Sequence, residues 1–125
     1  MTSRAVIGLF TLWLVAACQL PGTTPACSAQ IDWVNFIEVG SSQYVAGLGA
    51  PLDVLQQSDL GPVYARVKFK VSGHVCDPNY RVKDGDAAFL EPGTPIYQVA
   101  GHAPSEELAA SFNGSIVVYR VLPSA

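Results

Sequence analysis

From Val63 to Val71 the sequence alternates with a period of two. Val63, Ala65, Val67, Phe69 and Val71 are interleaved with Tyr64, Arg66, Lys68 and Lys70. Successive side chains of a strand point to opposite faces, so this pattern specifies a strand with one core-facing side and one wet side. An apolar sheet face must be covered, and the remaining sequence supplies the turns that bring other strands to it. Asn113-Gly114 separates apolar-patterned runs at residues 108–112 and 115–121. Asn-Gly is the strongest short hairpin signal, because both central residues of the turn take positive φ. Residues 31–39, with Trp33, Val34, Phe36 and Ile37, lead through Gly40-Ser41-Ser42 into residues 43–46, a second hairpin. Residues 87–90 and 96–99 are joined by Glu91-Pro92-Gly93-Thr94-Pro95. Pro92 presets the first turn angle there and Gly93 supplies the positive φ of a type II turn.

Helix signals are weak. Residues 51–57 have room for one or two turns, and Ser105-Glu106-Glu107 resembles the start of a short one. Residues 47–61 read as a long connection. The expected fold is all-β: a small antiparallel barrel or sandwich of about seven short strands, with one or two short helical turns. Trp33, Phe36, Tyr44, Phe69, Phe89, Tyr97, Phe112 and Tyr119 are the expected aromatic core.

The N-terminus carries a different kind of information. Met-Thr-Ser-Arg precedes an apolar run at residues 5–17 that stops at Cys18. A basic start, an apolar stretch and small residues before a cut describe an export signal. Val15-Ala16-Ala17-Cys18 also resembles the lipobox of bacterial lipoproteins. That resemblance implies cleavage before Cys18, a diacylglyceryl group on its thiol and fatty-acyl chains of the palmitate kind holding the mature protein on a membrane. Two other readings stand beside it. An uncleaved anchor is disfavoured, because the run falls short of the ~20 apolar residues that span a bilayer. An ordinary secretory signal remains open, since Val15 and Ala17 suit its small-residue cut site.

Three cysteines, Cys18, Cys27 and Cys76, leave one thiol over in an exported chain. Lipid on Cys18 accounts for it, and Cys27 and Cys76 are then expected to form a disulfide, the alternative being two reduced thiols. Residues 19–30 are rich in Pro, Thr, Ala and Gly, the composition of a tether. The expected organisation is a signal at 1–17, a tether at 18–30 and one domain at 31–125.

Loss of residues 1–17 removes Arg4 from the seven basic residues and none of the ten acidic ones, leaving a net charge of −4. An acidic chain with no basic run does not suit nucleic acid. Half of the residues are apolar, which places the chain with globular domains rather than disordered tails. Membrane contact is expected through the lipid, with an envelope protein or polymer as the further partner. No cofactor is expected.

A second resemblance spans about half of the mature chain. Leu60-Gly61-Pro62-Val63-Tyr64-Ala65-Arg66-Val67-Lys68-Phe69-Lys70-Val71 is followed by Asp77-Pro78-Asn79-Tyr80, by Lys83-Asp84-Gly85-Asp86-Ala87-Ala88-Phe89-Leu90 and by Gly93-Thr94-Pro95-Ile96-Tyr97. This succession resembles a pattern in uncharacterised bacterial envelope proteins. It implies an extracytoplasmic setting and brings no activity or catalytic residue with it.

Several clusters have the chemistry of a site. His74 and Cys76 share one face of an extended segment and, with Cys27 and His102, have the ligand types for zinc or copper. Oxidation of Cys27 with Cys76 would abolish that set. Asp77, Asn79, Asp84 and Asp86 offer the oxygens that Ca²⁺ takes, yet Asp-Pro-Asn and Asp-Gly-Asp are also ordinary turn sequences. Tyr64, Arg66, Lys68 and Lys70 form a possible face for an anionic partner, against the plainer reading of a solvated strand face. No nucleophile elbow, zincin or phosphate-loop motif is present, and Ser115 follows a hairpin turn. The expectation is a lipid-anchored, non-catalytic binding or scaffolding module, on the outer side of a bacterial membrane or in the periplasm. A small-ligand or metal-ion binding module is the alternative and an uncharacterised hydrolase the third reading.

Overall fold

The computed structural model describes residues 31–48 and 50–123. The signal, the tether, Cys18 and Cys27 lie outside the described residues. The strands are β1 (Phe36–Val39), β2 (Ser42–Val45), β3 (Val54–Leu55), β4 (Leu60–Arg66), β5 (Phe69–Lys70), β6 (Asp86–Ala87), β7 (Pro95–Val99), β8 (Glu107–Phe112) and β9 (Ser115–Val121). They form one sheet in the order β4-β7-β8-β9-β2-β1-β6-β5, with β3 beside β9. β5 and β6 pair in parallel and the other described pairs are antiparallel.

The two end strands of that order, β4 and β5, are consecutive in the chain and are separated by Val67 and Lys68 alone. The sheet therefore curls into a half-barrel whose ends are joined by one bent segment. At the bend the hydrogen bonds change partner. Val67 N–H donates to Thr94 O (3.0 Å) and Val67 O accepts from Gly93 N–H (2.7 Å), while Lys68 N–H donates to Gly85 O (2.8 Å). This bend overturns part of the expected alternation. Val67 and Val71 are buried, but Val63 and Phe69 are 44% and 36% exposed. The register of β4 on β7 shifts on both sides of Val63. Each such irregularity sets two residues against one and swaps the faces beyond it, so a strict period of two does not survive the segment.

Both hairpins form as expected. Gly40 turns β1 into β2 at φ 64°, and Asn113 and Gly114 turn β8 into β9 at φ 50° and 80°. The turn at Glu91–Pro92–Gly93–Thr94 also forms, with Thr94 N–H on Glu91 O (3.1 Å) and Gly93 at φ 90°. Its two flanks do not pair with one another: β6 joins β1 and β5, and β7 joins β4 and β8. The expected helical turn at residues 51–57 is β3 followed by a 3₁₀ turn at Gln57–Asp59. Asp59 Oδ2 accepts the Gln56 N–H (2.9 Å) and holds that turn. Ser105 and Glu106 lie in a turn that delivers Glu107 into β8.

β9 is the central strand. It pairs with β8 along one edge and shares its other edge between β3 and β2. Ile37, Tyr44, Val67, Ala87, Leu90, Ile96, Leu108, Ala110, Val117 and Tyr119 fill the inside of the curl. Tyr119 is wholly buried and donates its hydroxyl to Asn35 Oδ1 (3.0 Å); burial pushes its pKa up to about 12. A second cluster, Phe36, Val45, Val71 and Ala88, is covered by Trp33, Val75, Tyr80 and Val82. Of the expected aromatic core, Phe36, Tyr44 and Tyr119 are buried, Trp33, Tyr97 and Phe112 half-buried, and Phe69 and Phe89 exposed.

Candidate functional site

Counting back from the Asn113-Gly114 turn sets Phe112 opposite Ser115 and, five steps later, Glu107 opposite Arg120. This cross-strand pair faces outward, away from the buried Leu108 and Tyr119. Beside it, along the other edge of β9, runs the connection from β2 to β4. Val118 N–H donates to Asp53 O (3.0 Å) and Ala100 N–H to Asp59 O (2.9 Å), so the connection is held along the edge of β9 away from β8 and at the end of β7. Its Asp53 carboxylate meets the Arg120 guanidinium from one edge of β9 (2.6 Å), and Glu107 Oε1 meets Arg120 Nε from β8 on the other (3.1 Å). Asp53 first and Glu107 second hold the Arg120 pKa above its ordinary value. His102 Nδ1 stands 3.6 Å from the other Glu107 oxygen.

A groove opens on each side of this Asp53–Arg120 clasp. One, of about 360 Å³, is mostly apolar and is lined by Val45, Leu48, Pro51 and Leu122. The other, of about 390 Å³, is lined by Leu55, Asp59, Val99, His102 and Glu107. Asp53, Val118 and Arg120 border both. Leu48, Leu52, Val54 and Leu122 leave 36–63% of their surface exposed around this connection. The arrangement suits binding: apolar contact on one side, and on the other a charged wall whose members are already oriented by one another.

The residues singled out in sequence lie elsewhere, apart from His102. Tyr64 is 47% exposed on β4. Arg66 donates to Gly93 O (3.1 Å), Lys68 pairs with Asp84 (2.9 Å) and Lys70 pairs with Glu91. Arg66 ends β4, Lys68 lies in the bend and Lys70 is on β5, and each has a partner within the chain. The acidic window is equally occupied. Asp77 Oδ1 accepts the Asn79 N–H (2.9 Å), and Asp84 accepts the Gly40 N–H (2.8 Å) as well as Lys68. The Lys68 bond first, then that of Gly40, holds the Asp84 pKa below its ordinary value. Asp86, 3% exposed, accepts the Tyr80 hydroxyl and the Lys83 N–H, both at 2.8 Å. Burial, and then its bond to Asp86, pushes the Tyr80 pKa up to about 12. Glu38 sits beside this acidic pair, and desolvation, then Asp86 and Asp84, raise its pKa.

His74 packs against Phe69 with the rings tilted (5.8 Å between centroids), and His102 belongs to the charged groove. Cys76 is exposed and is not a free thiol, while Cys27 lies outside the described residues. Among the described residues no group of three or more His, Cys, Asp or Glu is placed to hold a metal ion. No described helix is long and apolar enough to cross a membrane.

Sequence reading missed Asp53, Glu107 and Arg120. The Glu107–Arg120 pairing was available from the two-residue turn, because such a turn fixes the register of both strands. Asp53 carried no signal, since its place depends on where the connection pairs along β9. No family model matches the chain, and neither a curated protein nor a solved structure matches it.

Proposed function

We propose that this chain is an exported lipoprotein anchored through Cys18, whose domain serves as a non-catalytic binding or scaffolding module of the bacterial cell envelope. The address rests on Val15-Ala16-Ala17-Cys18 after an apolar run. The resemblance of residues 60–97 to envelope proteins supports the same setting. The binding role is carried by one observation: the two grooves that meet at the Asp53–Arg120 clasp, bordered by exposed Leu48, Val54 and Leu122. Exposed apolar side chains gathered round a groove are the ordinary mark of a partner surface. Pairing of Cys27 with Cys76 belongs to the same proposal, since exported cysteine pairs oxidise.

Crosslinking in living cells tests the binding role. A photo-crosslinking residue at Leu48 or Leu122 should trap one discrete partner, and the same residue at Asn79, outside both grooves, should not. Equal trapping at all three positions, or at none, would contradict it. A small polar ligand is the second reading, favoured by His102, Glu107 and Arg120 in the charged groove. It predicts that Arg120→Ala abolishes ligand protection in a thermal-shift screen.

A further inference from the structure

A third groove, of about 250 Å³, lies between the Asn113-Gly114 end of the β8–β9 hairpin and the connection from β6 to β7. It shares no lining residue with the two grooves at the Asp53–Arg120 clasp. Phe89 and Phe112 line it, their rings 6.2 Å apart between centroids and tilted by 35°. Glu91, Thr94, Ser111 and Asn113 supply its polar side chains, and Leu90, 3% exposed, meets it from the core. Phe89 is held in this place by its neighbours. Ala88 and Leu90 on either side of it are buried, while Phe89 stays 36% exposed. A ring kept out of the core, paired with a second ring inside a groove, is the informative kind of exposed apolar group. The polar side chains are engaged only in part. The Thr94 hydroxyl donates to Glu91 O (2.6 Å), which leaves its oxygen able to accept. Glu91 pairs with Lys70, so its charge is matched within the domain. Among the described residues no other ionisable side chain lines this groove.

We propose that this groove binds a neutral glycan, with an N-acetylhexosamine unit seated against Phe89 and Phe112. A pyranose ring presents C–H groups on its face, and the negative π-face of an aromatic ring attracts them. Its edge presents hydroxyls, which need donors and acceptors placed around the apolar contact. Ser111 and Asn113 supply both kinds, and Thr94 supplies an acceptor. The acetamido group adds a methyl for the apolar wall and an amide that the Asn113 side chain complements. Charge argues for the same class. An anionic ligand would meet the Glu91 carboxylate, and a cationic one would have to displace Lys70 from it. The site goes beyond the clasp reading, and it holds or fails whether or not a partner binds at Leu48 and Leu122.

The probe is chitotetraose, a neutral oligomer of N-acetylglucosamine, added to the isotope-labelled full-length chain in a zwitterionic detergent without a sugar headgroup. Amide NMR spectra should show saturable shifts at Phe89, Ser111 and Asn113 and none at Leu48 or Leu122. Phe89→Ala should weaken binding by about tenfold or more, since an aromatic anchor at the centre of a small site carries much of its affinity. Phe89→Tyr should keep the affinity, and Leu48→Ser should leave it unchanged. The shift map comes from the unaltered protein, so it decides even where Phe89→Ala does not fold. Absence of saturable shifts, shifts centred on Leu48 and Leu122, or undiminished affinity in a Phe89→Ala protein with a native melt overturns the site. Tetragalacturonate, an acidic glycan, should leave these amides in place, and binding as tight as that of chitotetraose overturns the assignment to a neutral glycan.

Discussion

Lys68 lies flat against Gly85. A Cβ on Gly85 would sit 2.5 Å from Lys68 Cδ and 2.8 Å from its Cβ, and Gly85 itself takes φ 89°. The Gly85 carbonyl accepts the N–H groups of both Lys68 and Phe69, and its own N–H donates to Glu38 O. This is the point at which the bent segment leaves β7 and joins β6, so the closure of the sheet depends on a residue without a side chain.

Substitution at Gly85 separates two costs. Gly93 also has positive φ, 90°, but nothing lies within 4 Å of its added Cβ. Gly93→Ala should therefore cost only backbone strain, roughly 1–2 kcal/mol. Gly85→Ala meets the same strain and also displaces Lys68, so its urea midpoint should fall clearly further. Equal losses at the two positions would show that the Lys68–Gly85 contact does not hold the closure.

The segment at residues 72–83 is pinned by Asp86. Asp86→Ala leaves the Tyr80 hydroxyl and the Lys83 N–H without their acceptor, and the loss of such part-buried hydrogen bonds costs about 1 kcal/mol each. Tyr80→Phe removes only one partner and should cost less. Thermal melts of both variants check the order, and a larger loss for Tyr80→Phe would contradict it.

Carboxylates on this edge act in opposite directions with pH. Asp84 has a depressed pKa in the folded state, so its contribution is present above the unfolded carboxylate pKa and is lost as pH falls through the folded value. Glu38 has a raised pKa, so its ionisation opposes folding once pH rises above the unfolded value. Glu38→Gln should raise the melting temperature at pH 7 and change it little at pH 3. Asp84→Asn should lower it at pH 7 and by less at pH 3. Melts at the two pH values test both signs.

Those turns whose chemistry is local were legible in the sequence. Asn113-Gly114, Gly40 and Pro92-Gly93 each need φ values that few residues accept, and all three turns form. The all-β class followed from them and from the weak helix signals. The closure was not legible. It requires Val63 and Phe69 to leave the inward face, and a bulge depends on the partner strand β7, which period-two reading of β4 does not see. The charged residues misled for a related reason. Lys68, Lys70, Asp84 and Asp86 look like sites in sequence, yet Lys68 pairs with Asp84, Lys70 with Glu91, and Asp84 and Asp86 accept backbone N–H groups. Asp53 and Arg120, far apart in sequence, meet only because β3 pairs along the edge of β9.

Removal of β9 tests its central place. β9 holds β8 on one edge and β3 and β2 on the other, so truncation after Phe112 should abolish the cooperative melt and the β spectrum. Gly114→Val should destabilise the intact domain by roughly 1–3 kcal/mol, because a β-branched residue strains at φ 80°. A truncated domain that still melts cooperatively would contradict this topology.

The proposed address is tested most directly by the intact mass of the full-length chain expressed in a bacterium and recovered from its membrane fraction. The expected product begins at Cys18, carries a diacylglyceryl group and further fatty acid, and shows Cys27 and Cys76 resistant to alkylation without reductant. Cys18→Ser should retain residues 1–17 and take up no labelled fatty acid. A mature chain with an unmodified Cys18, released in soluble form, would contradict the lipoprotein address.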